Sequence, residues 1–196
     1  MFDRSLTQSL IDDLSPEQRG ATAALALTRL RAMILADQRD EVASLSTRQV
    51  MEDAYNYCMA RATDHPSGDS GVLRGRFEEL LGSDEFPIED PEDIEPWFVE
   101  VVSTADYAVR VWEQPEASGD TCFNVLLSAY AVVGNLEDDP DLPSGPPLGQ
   151  WEFDRQVADM RALSQQVSVS ELVDLGAGLA QTYAARFMAY IAHHQG

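Results

Sequence analysis

Eight apolar residues between positions 94 and 112 constrain the fold of this chain more than any other stretch. Ile94, Trp97, Phe98, Val101, Val102, Ala105, Val109 and Trp112 follow one another at steps of three, one, three, one, three, four and three. At 3.6 residues per turn, that spacing holds all eight on one side of a helix for about five turns. A strand would split the set, because its successive side chains point to opposite faces. Pro96 suits the first turn of such a helix, since its missing N–H has no partner there in any case. Trp97, Phe98, Val102 and Val109 are therefore expected in the core, and Glu100, Asp106 and Arg110 on the opposite, solvated face.

The same period recurs elsewhere. Cys122, Val125, Leu126, Ala129, Val133 and Leu136 form a second apolar face just after a turn at 115–120, which makes the two helices antiparallel neighbours. Three serines stand three residues before Gln or Glu: Ser15 with Gln18, Ser46 with Gln49, and Ser168 with Glu171. Each pair has the form of a capping box and predicts a helix start. From position 15 an alanine-rich segment runs to about 37, with Leu27, Leu30 and Ile34 on one stripe and Ala21, Ala24 and Leu25 widening it, and it reads as a central helix. Further helices are expected over 46–62 (Val50, Ala54, Tyr57 and Cys58 inward), 72–82, 149–166 (Trp151, Phe153, Val157, Met160) and 168–193 (Leu172, Leu175, Leu179, Tyr183, Phe187, Ile191). No alternating run suggests a strand. The expected fold is all-α: residues 1–196 as a single-domain antiparallel bundle of about six to eight helices, with flexible loops near 63–71 and 138–148.

A length of 196 residues fits one domain able to bury roughly 70% of its unfolded surface, so no disulfide staple is needed. Cys58 and Cys122 lie in apolar helical contexts and read as small core residues of a reducing compartment. No apolar run reaches the ~20 residues of a membrane span. The opening Met1-Phe2-Asp3-Arg4 lacks a signal peptide's basic start, so a cytoplasmic protein is expected.

Charge is segregated along the chain. Residues 66–141 hold 19 acids against 3 arginines, a net of −16 out of −21, while both flanks are close to balanced. All 13 basic residues are arginine. GC-rich coding accounts for the missing lysine, but adaptation to salt would acidify every surface helix, so the central excess keeps a local meaning. A field of this sign repels polyanions, and nucleic acid is excluded as an expected partner. A basic protein partner suits it instead. The acids expected to form that partner surface are Glu89, Asp90, Glu92, Asp93 and Glu95 in one cluster, and Glu137, Asp138, Asp139 and Asp141 in the other.

The order of segments resembles the YjaG-like family of small helical bacterial proteins. The matching pieces are residues 14–30, the Phe77-Glu78-Glu79-Leu80-Leu81 run, Glu95-Pro96-Trp97 through Trp112, residues 122–137, and Gln150-Trp151-Glu152-Phe153. The resemblance spans most of the chain and rests on structural positions. It implies a helical fold and a bacterial origin, and it implies no catalytic residue.

Tests for specific chemistry leave little. His65, His193 and His194 have no Cys or Glu at ligand spacing, and two adjacent helical residues point about 100° apart. No nucleophile elbow or phosphate loop occurs, and Gly176-Ala177-Gly178 reads as close helix packing. Neither acidic cluster has the spaced oxygens and glycine of a calcium loop. Glu92-x-x-Glu95 and Glu113-x-x-Glu116 faintly resemble the paired acids of all-helical nucleotide pyrophosphohydrolases, while carboxylates at a helix N-terminus also fit the helix dipole alone. The expectation is a non-enzymatic binding or regulatory protein, immunity- or adaptor-like, with no catalytic residue, metal or cofactor. Its alternative is a small metal-dependent hydrolase of the pyrophosphohydrolase type.

Overall fold

The computed structural model describes the backbone of residues 1–36, 44–83, 95–137, 142 and 144–194, and side-chain environments for these except 34–36, 95–98 and 194. Among the described residues there are eight α-helices and no strand. They are α1 (Arg4–Asp12), α2 (Pro16–Ala36), α3 (Leu45–Ala62), α4 (Ser70–Leu81), α5 (Glu95–Glu113), α6 (Ser118–Glu137), α7 (Leu148–Ser164) and α8 (Val169–His194), with one 3-10 turn at Pro115–Ala117.

The caps explain several boundaries. Ser15 and Gln18 form the expected reciprocal box, the Ser15 N–H reaching Gln18 Oε1 at 2.9 Å and the Gln18 N–H reaching Ser15 Oγ at 3.3 Å. At α8, the Glu171 N–H donates to Ser168 Oγ at 3.3 Å. The third box is displaced: α3 is capped by Ser44, whose Oγ accepts from the Thr47 N–H at 3.1 Å, so Ser46 lies inside the helix. With three hydroxyl residues in four positions, the earlier serine wins because it lets Leu45 and Ser46 join the helix. The helix α1, for which the sequence reading had no expectation, is capped by Asp3, which accepts from the Leu6 N–H at 2.9 Å.

The alanine-rich α2 is the hub and touches α3, α5, α6, α7 and α8. Instead of one buried stripe, the unbroken run from Gly20 to Leu27 is buried. Alanine permits this, since its small side chain lets neighbours approach from every side. At Gly20 the approach is closest. A Cβ there would lie 2.5 Å from ring atoms of Trp112 at the end of α5, so only glycine admits the indole. The guanidinium of Arg61 covers the same ring at 5.4 Å from its centroid.

The α5 helix contributes Val101, Val102, Ala105, Val109 and Trp112 to the core, as its period predicts, and packs on α6, whose Val125, Leu126, Ala129 and Val133 are buried in the same core. Trp97 and Phe98 lie outside the described side chains. The inward set of α3, Val50, Ala54, Tyr57 and Cys58, is buried. Three expectations need correction. Asp106 is not on a solvated face: α5 is clasped by α2, α3, α4 and α6, so its carboxylate is 4% exposed and pairs with Arg110 at 2.5 Å. Trp151 and Leu175 match the helical period but are 40% and 59% exposed, because α7 and α8 meet the bundle along a narrower strip than their apolar pattern allows.

Candidate functional site

The densest polar chemistry in the described structure lies inside the bundle, where α2, α7 and α8 meet. Arg29 of α2 is 2% exposed, yet its guanidinium makes three charged hydrogen bonds. Nε reaches Glu152 Oε2 at 2.8 Å, Nη2 reaches Glu152 Oε1 at 2.7 Å, and Nη1 reaches Asp159 Oδ2 at 2.8 Å. The two bonds to Glu152 form the planar fork that makes arginine the preferred buried cation. Glu152 also accepts from the Tyr183 hydroxyl at 2.9 Å and from Gln156 Nε2 at 2.9 Å. Gln156 Nε2 donates in addition to the Leu126 carbonyl of α6 at 3.0 Å. Arg155 closes the set, its Nε donating to Asp159 Oδ1 at 2.7 Å.

The positions follow from helix geometry. Glu152, Gln156 and Asp159 recur at steps of four and three on one face of α7, and Tyr183 approaches from α8. Gly176 of α8 lies over the Arg29 stem, where a Cβ would sit 3.7 Å from the arginine methylenes; the expected close packing at this glycine is therefore against an ionic side chain.

Electrostatically the set is closed. Burial pushes the Glu152 carboxyl upward, but the charge of Arg29 and the hydrogen bonds from Arg29, Gln156 and Tyr183 outweigh it, leaving Glu152 below the usual carboxylate range. Burial also acts to lower the Arg29 value, and the two carboxylates more than reverse it, so the guanidinium is locked in its charged form. Burial and the adjacent Glu152 charge drive the Tyr183 phenol upward, which keeps it a donor. Two arginines balance two carboxylates, and both Glu152 oxygens are already engaged. That leaves no group poised to exchange a proton and no free oxygen pair for a metal. The arrangement can fix the mutual register of three helices, and Gln156 Oε1, buried without a partner, is its one unsatisfied acceptor.

The sequence-predicted acids are placed unevenly. Glu89, Asp90, Glu92, Asp93, Asp138, Asp139 and Asp141 lie outside the described residues, and Glu95 is the first residue of α5 with its side chain outside the description. Glu137, the last residue of α6, is half-buried, and its Oε2 accepts from the Gly149 N–H at 2.9 Å. It therefore caps the start of α7. The second acidic pair does not share a helix. Glu113 ends α5 and lies 3.7 Å from Arg74, whereas Glu116 is exposed in the 3-10 turn that Pro115 initiates. Among the described residues, no three His, Cys, Asp or Glu side chains group as metal ligands. Cys58 and Cys122 are fully buried, as expected of core residues, and burial pushes the Cys122 thiol up to about 12 against the opposing pull of Arg19. Shallow depressions flank the α3–α4 seam, where Asp53 pairs with Arg76 at 2.5 Å.

At least six arginines are committed to ion pairs: Arg29, Arg31, Arg74, Arg76, Arg110 and Arg155. That leaves fewer cations to offset the remaining surface acids of a chain at −21. Raising sodium chloride from low concentration to about 0.15 M should therefore raise the melting temperature, with the gain flattening once the Debye length falls to about 8 Å. A flat melting temperature over that range would show the surface carboxylates to be locally compensated. Among the described residues no helix is long and apolar enough to cross a membrane.

The interior network was missed by the sequence reading. Its only trace in one sequence is two carboxylates and an amide, Glu152, Asp159 and Gln156, on the same helical face as Phe153, Met160 and Leu163, and that pattern reads equally well as a solvated edge. Neither a protein-family model, nor a curated protein, nor a solved structure matches the chain.

Proposed function

We propose that this chain is a non-enzymatic binding or regulatory protein whose acidic surface meets a basic protein partner in the cytoplasm. One observation carries the reading. Among the described residues the buried carboxylates, Glu152, Asp159 and Asp106, each pair with an arginine, and every other described acid is exposed or half-buried, so the unpaired negative charge described there lies at the surface. A charged surface of one sign speeds encounter with a partner of the other sign and rejects partners of its own sign, nucleic acid included. Kinship with the YjaG-like family belongs to the same proposal and rests on the core segments around Phe77, Trp112 and Phe153.

A tagged full-length chain used as bait at low salt should retain basic proteins that elute as salt rises toward about 0.15 M and beyond. In parallel, nucleoside triphosphates with Mg²⁺ should show no hydrolysis above background. Retention of nothing salt-sensitive, together with pyrophosphate release that a Glu92→Gln, Glu95→Gln variant abolishes, would replace this reading with the metal-dependent hydrolase.

A further inference from the structure

The seam between α3 and α4 holds an open groove. The two helices run antiparallel along it, since Ser46 and Ser83 line one depression while Ala60 and Asp69 line the other. From Ser46 to Ala60 the groove extends about 21 Å at 1.5 Å per residue. Val50 and Leu80 line the first depression, of about 610 Å³, and Tyr57, Leu73 and Val72 the second, of about 520 Å³. Four of these five are buried and form an apolar floor, whereas Val72 is 60% exposed and stands as an apolar wall in water. Arg76 lines both depressions and pairs with Asp53 at 2.5 Å, which neutralises the middle of the groove. The ends differ. Glu79 beside the first depression and Asp69 beside the second are exposed, and neither forms an ion pair among the described residues. Asp69 caps α4 by accepting from the Gly71 N–H at 2.8 Å and keeps its charge.

We propose that this groove is where the basic partner docks, through an amphipathic helix with two apolar side chains about seven residues apart and Arg or Lys outside them. The inference rests on the basic-partner reading and gives that partner a place and a shape. The spacing comes from α4. Asp69, Val72, Leu73 and Arg76 line the second depression, and Arg76, Glu79, Leu80 and Ser83 line the first, each position repeated seven residues on. The two seats therefore lie roughly 10 Å apart, the span of the i and i+7 anchors of a helix laid in a groove. An extended peptide covers that span in about three residues, whose first and last side chains point to opposite faces, so a strand fills only one seat. Charge selects the sign. A basic end meets an unpaired carboxylate at either end of the groove, while an acidic segment, a second copy of this −21 chain included, meets like charge at both.

Fluorescence anisotropy on the full chain tests it with three labelled peptides of about 15 residues, the length of the groove as a helix. One carries leucines at the two anchor positions and arginines at both ends, one replaces the arginines by Glu, and one replaces the leucines by Ser. The first should bind saturably and the other two should not. Val72→Glu should weaken that binding about tenfold through the lost apolar contact, although its added charge would strengthen a purely electrostatic attraction. Glu79→Gln with Asp69→Asn, which keeps a capping side chain, should weaken it several-fold. The same charge change at the exposed Glu171 and Asp174 of α8, Glu171→Gln with Asp174→Asn, should leave it unchanged. All these positions are exposed, and each variant should keep the native circular dichroism spectrum. As low-salt bait, the Val72→Glu chain should lose the basic proteins that the native chain retains. Equal retention by both baits would leave the basic partner standing and remove it from this groove, whereas no salt-sensitive retention by the native bait would remove the partner and the groove together. No binding of the basic amphipathic peptide, equal binding of its acidic counterpart, or a self-association that Val72→Glu abolishes would also overturn the proposal.

Discussion

Replacing Arg29 by methionine lowers the stability of the bundle by about 3–5 kcal/mol, the cost of stranding a buried charge by removing its partner. Methionine keeps much of the apolar stem beneath Gly176 but leaves Glu152, at 0% exposure, with only the Tyr183 hydroxyl and the Gln156 amide. The pH profile should change sign as well. In the native chain Glu152 is held below its ordinary value, so its ionised form contributes stability above the unfolded pKa of about 4.3, and this contribution is lost as pH falls through the folded value. In the variant, burial without the cation raises the Glu152 value. Stability then increases as pH falls from neutral toward about 4.3, because the folded state takes up the proton first. Adding Glu152→Gln to Arg29→Met removes the stranded charge and should recover part of the loss. Denaturant titrations over this pH range check all three statements. An Arg29→Met chain with native stability and a native pH profile would mean that water reaches the network.

Trp112→Ala should cost a similar amount, about 3–5 kcal/mol, through lost burial and the cavity left against α2. The informative comparison is with Gly20. In the native chain Gly20→Ala destabilises by about 1–3 kcal/mol, since its methyl would sit 2.5 Å from the indole and the packed ring must shift. In the Trp112→Ala background the same change should stabilise, by up to about 1 kcal/mol, because only the helix preference of alanine over glycine remains. A Gly20→Ala effect of the same sign in both backgrounds would show that the indole is not what keeps position 20 a glycine.

Much of the architecture was legible because it rests on local rules. The periods of α5 and α6, the Ser15–Gln18 box and the alanine content of α2 each encode a helix within a short window, and such signals act before any tertiary contact forms. What failed was the division between inner and outer faces at particular residues. A periodic pattern shows that two faces of a helix differ, but how much of the circumference is covered depends on how many neighbours arrive. Asp106 was read as solvated and is buried among four helices, while Trp151 and Leu175 were read as core and are exposed. Ser46 gave way to Ser44 because two caps of equal quality stand two residues apart, and the earlier one lets Leu45 and Ser46 join the helix.

The sequence by itself determined that the chain is helical, roughly where every described helix after α1 begins, that its charge is concentrated in the middle, and that the two cysteines belong in the core. All of these depend on residues within a few turns of one another or on bulk composition. Only the tertiary structure brought Arg29 to Glu152 and Asp159, which lie 123 and 130 positions away, and laid Trp112 on Gly20. These contacts join helices distant in sequence, so no local period or composition can carry them. A buried ion pair written as separate letters looks the same as charges on a surface, and a glycine that admits an indole looks the same as one that weakens a helix. The distinction arises only when the low-dielectric interior closes around them, because there an unpaired charge or an added methyl has nowhere to go.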